Sequence, residues 1–180
     1  LMAEAGWTDT NGDGILDKDG QDFVLTTILM SWGGIPEVAT AMEGLYRQLG
    51  VKLDMQSLTY PAALEAAGKG EHHLIPMALS SSDPDILFPY FHSSQIDGGF
   101  AWSRYVDSEL DEWLEQGAQV TDTTERAEIY RNAQVRIMEQ ALILPIRDYV
   151  NLNGASASVK GLRFALQGWF PWLYDVYVAQ

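Results

Sequence analysis

Cysteine is absent from this chain of 180 residues, which excludes disulfides, thiolate metal sites and cysteine nucleophiles. The absence fixes no compartment, because many exported bacterial proteins also lack cysteine. Basic residues are scarce: 11 Lys and Arg stand against 25 Asp and Glu, a net charge of -14. Such a charge repels phosphate backbones, so nucleic acid is excluded as a partner, and an anionic membrane surface is disfavoured likewise. No apolar run approaches the ~20 residues that span a bilayer, and no basic segment followed by an apolar one marks a signal peptide at this end. Any export signal is therefore expected upstream. No nucleophile elbow, P-loop or dinucleotide fingerprint occurs, and the acidic residues fall mainly in caps, turns and exposed helix faces, so the chain does not read as an enzyme. Internal repeats and low-complexity linkers are missing too. What remains is 47% hydrophobic, enough for residues 1–180 to form a single domain with a sizeable core.

The opening is the most informative stretch. Leu1 to Trp7 reads as the end of a helix closed by Gly6, with its beginning missing, so the chain is expected to be part of a larger one. An Asp/Gly-rich turn completes residues 1–21. Asp9, Asn11, Asp13 and Asp17 alternate around Gly14 in the manner of a calcium loop. The twelfth position, where an EF-hand places a bidentate Glu, is Gly20, and no helix pair flanks the loop. Two readings stand: a calcium site, or a turn whose Asx side chains bond their own backbone.

Further along, Phe23 to Met30 is a β-branched, apolar run of strand length ending at Ser31-Trp32-Gly33-Gly34. Pro36 opens a helix with Val38, Met42, Leu45 and Leu49 as its packed stripe and Gly50 as its stop. Val51 to Met55 alternates as a strand; Thr59 with Pro61 starts a second helix, and His72 to Ser80 supplies a third strand. Strand, helix, strand, helix, strand at this spacing implies right-handed crossovers and a mostly parallel sheet.

The second half is helical in pattern. Asp83-Pro84-Asp85 is an N-cap, a first-turn proline and an acid favoured by the helix dipole. Asp107 caps a helix carrying Leu110, Trp113 and Leu114. Asp122 with Glu125 forms a capping box for the longest helix, whose buried stripe is Ala127, Tyr130, Ile137, Met138 and Ala141. Leu142 to Ile146 reads as a short strand, and residues 161–180 as an irregular aromatic tail.

Taken in order, Glu4-Ala-Gly-Trp7, the Asp/Gly turn, Gln48-Leu-Gly-Val51, Asp83-Pro84-Asp85, Tyr105 before Asp107-x-Glu109-Leu-Asp111, Glu125-Arg126 with Tyr130, Ile143 to Pro145 and Val159-Lys-Gly161 resemble the C-terminal portion of the family 5 extracellular solute-binding proteins. These are the dipeptide, oligopeptide and nickel receptors of ABC importers. The resemblance implies an α/β fold, one lobe of a type II-like periplasmic-binding-protein fold with a mostly parallel mixed sheet flanked by helices. It implies capture of a peptide or similar small solute between two lobes and delivery to ABC permease membrane subunits. The N-terminal lobe of the same receptor would be the other partner. A periplasmic or extracellular location is implied, with any membrane tether at an N-terminus outside this chain.

Ligands of open α/β sheets sit beyond the carboxyl ends of the strands, which selects Ser31 to Gly34 after the first strand, with Trp32 and Gly33 the foremost candidates, and Ser80, Ser81, Ser82 and Asp83 after the third. The resemblance adds that the segment before the Asp-Pro-Asp turn, Met77 to Ser82, runs along a bound peptide. Peptide-binding members commonly carry an aspartate at the position of Ser80 to pair with the ligand's amino group. Its replacement favours a neutral, blocked or non-peptide ligand over a simple dipeptide. Trp102 offers either a stacking face to the ligand or a piece of core. His72 and His73 are adjacent on a strand and point to opposite faces, which defeats joint metal chelation. No cofactor is expected, with calcium at the Asp9 to Asp17 loop as the one open alternative, in which the chain is a stand-alone calcium-stabilised module.

Overall fold

A computed structural model of the chain describes residues 1–30, 33–148, 150–165 and 168–179. It divides into two compact units, Leu1–Ala78 with Ser94–Arg104, and Leu79–Ser93 with Tyr105–Gln180.

The first unit opens with one helical turn, in which the Trp7 N–H donates to the Met2 carbonyl at 3.1 Å and Gly6 takes φ +86°. Strands β1 (Asp17–Lys18) and β2 (Gln21–Asp22) form a hairpin. Asp19 and Gly20 join them with φ of 53° and 76°, the left-handed pair that matches strand twist in a two-residue turn.

Strand β3 (Val24–Met30) pairs in parallel with β4 (Lys52–Leu58), in register from Val24 opposite Lys52 to Met30 opposite Leu58. A parallel pair cannot be closed by a tight turn and needs a crossover. Helix α1 (Ile35–Gln48) supplies it, with Pro36 in its first turn and Gly50 at φ +74° after its end. Ile28, Leu29, Met30, Ile35, Ala39 and Ala63 form the core of this unit. The packed stripe of α1 differs from the expected one: Ile35 and Ala39 are buried, with Val38, Met42 and Tyr46 partly so, whereas Leu45 and Leu49 are 60% and 65% exposed. The small Ala39 lets the N-terminal half of the helix sit on the sheet, and the buried face is centred one position round from Leu45.

Helix α2 (Tyr60–Lys69) follows β4, buries Ala63 and Ala67 and stops at the left-handed Gly70. The third strand expected at His72 to Ser80 shrinks to one parallel bridge, Leu74 with Thr27. A side chain takes the place of a strand here. The Thr26 N–H donates to His73 Nδ1 at 2.9 Å, and the Ile28 N–H donates to the Leu74 carbonyl at 3.0 Å. Pro76, without an N–H, cannot extend the ladder.

In the second unit a short turn of 3-10 helix, Pro84–Leu87, runs into α3 (Phe88–Phe91), followed by α4 (Ser108–Gln119) and α5 (Thr123–Glu139). Both long helices start as read from the sequence. Asp107 Oδ1 accepts from the Glu109 and Leu110 amides, and Asp122 Oδ1 from those of Thr124 and Glu125. Phe91, Leu110, Leu114, Tyr130, Ala133 and Ile137 make the core. A Cβ on Gly117 would come within 2.7 Å of the Tyr130 ring, so the glycine is what lets α4 and α5 touch. Arg136 of α5 reaches back to Asp107 and Glu109 at the start of α4 and lies 5.3 Å over Trp113. Of the stripe expected on α5, Tyr130 and Ile137 are buried, while Ala127 and Ala141 are exposed and Met138 is half exposed. Ala133 takes the central place.

Leu142 to Ile146 makes no ladder among the described residues, and Ile143, Leu144 and Ile146 lie open to solvent. The tail is more ordered than expected. β5 (Val159–Lys160) pairs with β8 (Tyr177–Val178) and β6 (Arg163–Phe164) with β7 (Pro171–Trp172), both antiparallel. Phe170 and Tyr174 remain exposed at its surface.

Two outcomes follow from this packing. Leu114→Ala, at a fully buried position, should lower unfolding free energy by about 2–5 kcal/mol; a chemical denaturation midpoint unchanged from the parent would show that α4 does not pack as described. Among the described residues His72 Nδ1 is buried without a hydrogen-bond partner, and burial, with the charge of His73 second, holds the His72 pKa below its ordinary value. The unfolded chain therefore takes up this proton first as pH falls below about 6.5, and stability drops from there down to the lower folded pKa. His72→Gln should flatten that part of the Tm against pH curve, and a parallel pair of curves would remove His72 as the cause.

Candidate functional site

The Asp-Pro-Asp turn is built as a helix start whose cap residue has a second task. Asp83 Oδ1 accepts from the Asp85 amide at 2.9 Å, and the Asp83 N–H donates to Ser81 Oγ at 3.1 Å. The same carboxylate takes both terminal nitrogens of Arg126, Nη2 to Oδ1 at 2.7 Å and Nη1 to Oδ2 at 3.4 Å. Arg126 Nε donates to the Gly117 carbonyl at 2.7 Å, and the guanidinium lies 5.2 Å from the Tyr130 ring centre. The Tyr130 hydroxyl in turn donates to Asp85 Oδ1 at 3.3 Å.

Hydrogen bonding from Arg126, then from the Asp85 amide, holds the Asp83 carboxyl below the usual carboxylate range, so it stays ionised through neutral pH. The Asp83 side chain is 57% exposed, and solvent screens a pair this open, so it adds little to stability. Its fork geometry contributes direction more than stability.

Around this pair lies an open depression of about 430 Å³, lined by Ser81, Asp83, Asp85, Ile86, Pro89, Ala118 and Arg126. One hydroxyl, two carboxylates and a guanidinium stand beside three apolar side chains, a mixed polar and apolar lining. Arg126 cancels Asp83, which leaves Asp85 as the uncompensated charge.

Of the residues expected to line a ligand site, the depression collects Ser81 and Asp83. Ser80 and Ser82 are exposed on the same loop. Gly33, in the first unit, is exposed with φ +59°; Trp32 lies outside the described residues. Met77 is partly buried in the first unit. Trp102, also in the first unit, is only 9% exposed and meets Phe100 edge-on at 5.5 Å, so core packing accounts for it. Asp85, Ile86, Pro89, Ala118 and Arg126 were not anticipated as lining. Local spacing carries no sign of them, because Arg126 is 43 positions from Asp83.

The Asp9 to Asp17 loop is tied by its own side chains. Asp9 accepts from the Gly12 and Gly14 amides at 2.7 and 3.0 Å, Asn11 from Asp13 at 2.9 Å, and Asp13 from Ile15 at 2.8 Å. Asp17 is buried and takes the Thr10 amide and hydroxyl. These side chains bond the loop's own backbone, as in an Asx turn. Among the described residues no group of three or more His, Asp or Glu side chains is placed to hold a metal. His92 is buried with Nε2 3.2 Å from Glu115 Oε1 and its ring stacked on Phe88.

No family model matches the chain. The Oligopeptide-binding protein AppA of Bacillus subtilis is 30% identical over 143 residues, 77% of this chain and 26% of that protein. The chain spans about a quarter or less of the length of the curated relatives it matches. Among solved structures, the same Bacillus protein in complex with a nonapeptide superposes with a TM-score of 0.73 at 24% identity, covering 99% of this chain and 36% of that one. HbpA2 from Haemophilus parasuis gives a TM-score of 0.78 at 24% identity, with 99% and 34% covered. The resemblance read from the sequence is thereby shown: these are family 5 solute-binding proteins with the periplasmic-binding-protein fold, and the chain matches a fragment of them.

Calcium raised to about 20 mM, well above the ~0.1–1 mM dissociation constants of extracellular sites, should leave the Tm unchanged. A rise that grows with calcium concentration would restore a metal role to the loop.

Proposed function

We propose that this chain, as part of a family 5 solute-binding protein, forms one lobe that closes on a peptide or similar small solute and presents it to the membrane subunits of an ABC importer. The observation that carries this reading is the Ser80 to Asp83 loop, with Ser81 and Asp83 already lining a mixed polar and apolar depression. The likeness to peptide-binding relatives supports the same assignment. The role is binding, not catalysis. It belongs to the periplasmic or extracellular space, where those receptors work, and among the described residues no helix is long and apolar enough to cross a membrane. A second, N-terminal lobe of the same polypeptide completes the cleft in this reading, with the Ser80 to Asp83 run as this lobe's contribution. Ligand burial then requires closure, so one lobe by itself binds weakly.

The resemblance implies that peptide-binding members commonly carry an aspartate at the position of Ser80, and its replacement favours a solute with a neutral or blocked end over one with a free ammonium. Ser80→Arg in the longest reading frame containing this chain should abolish the ligand-induced rise in Tm across a panel of free and N-acetylated peptides, while leaving the unliganded Tm unchanged, because the site is exposed. Retention of the parental shift would remove the loop from the cleft.

A further inference from the structure

We infer that Arg126 is the positioning residue of the ligand loop: it holds Asp83, and through Asp83 the backbone of Ser81 to Asp85, in the orientation the site requires. The inference rests on the proposed solute-binding role for its consequence, though not for its geometry.

Three contacts fix the Arg126 head. Its two terminal nitrogens grip the Asp83 carboxylate, its Nε is held by the carbonyl of Gly117 near the end of α4, and the Tyr130 ring supports its face. A planar fork with five donors suits this task, and lysine cannot reproduce it. On the loop side, Asp83 receives the Asp85 amide at its side chain and the Ile86 amide at its carbonyl, while its own amide is bonded to Ser81 Oγ. The loop is thus tied at one carboxylate to two helices that pack through Gly117 and Tyr130. Clamping also removes Asp83 as a free charge and leaves Asp85, whose contact with Tyr130 is long, as the carboxylate facing the depression.

The test is a double-mutant cycle with Arg126→Gln and Asp83→Asn, since asparagine keeps the capping acceptor for the Asp85 amide but loses the charge that Arg126 grips. Each single variant should speed hydrogen exchange of the Asp85 and Ile86 amides about two- to fivefold, leave the Ile28 amide of β3 unchanged, and add little when combined. Arg126→Lys should restore only part of the protection. Unchanged exchange at Asp85 and Ile86, or equal acceleration throughout the chain, overturns the inference. In the longest reading frame the singles should weaken binding of a nonapeptide probe to the same extent as each other. If exchange responds as stated but the unmodified receptor binds no peptide probe, the clamp stands and the peptide reading fails.

Discussion

Parallel pairing of β3 with β4 is the constraint from which the first unit is built. Seven residues of β3 align in register with seven of β4, and the carboxyl half of β3 is buried on both faces. Both faces must therefore be covered, which is why the strand reads as a continuous apolar run instead of an alternating one. The crossover through α1 answers the parallel direction, and α2 and the Leu74 bridge follow from the need to cover the other edge. The loop after β3 is thereby placed at the carboxyl end of a strand, the end where open α/β sheets keep their ligands.

The second unit depends on a different contact, the close approach of α4 and α5 at Gly117. A side chain there would push Tyr130 away, and with it the ring that supports Arg126. Packing and site are in this way the same contact seen from two sides. The helices give rigidity through Leu110, Leu114 and Ile137, and the ion pair spends that rigidity on the direction of a loop. Its modest energy at an exposed position suits such a role, since orientation requires geometry more than strength.

Much of this was legible because it is local. Asp83, Asp107 and Asp122 all cap as expected, since a cap is decided within three residues of chain. Gly6, Gly50 and Gly70 end their segments in the left-handed region for the same reason. What the sequence hid is non-local. Leu45 and Leu49 carry a helical spacing indistinguishable from a packed stripe, and only contact with the sheet decides which side of α1 is covered. The apolar run from Leu142 to Ile146 has strand character but finds no strand beside it among the described residues. His73 substitutes a ring nitrogen for a strand's carbonyl, which no periodicity reveals. Arg126 and Asp83 meet across 43 positions of chain, and the sequence showed each only as part of its own motif.

The central claim is that this chain is one lobe of a receptor whose ligand is enclosed between two. Isothermal titration of the longest reading frame and of residues 1–180, against the same set of di- to nonapeptides, tests it most directly. The account predicts saturable binding by the longer protein, with a negative heat-capacity change from buried apolar surface, and binding by residues 1–180 weaker by orders of magnitude. Equal affinity of the two forms, or no peptide bound by the longer protein, would contradict it.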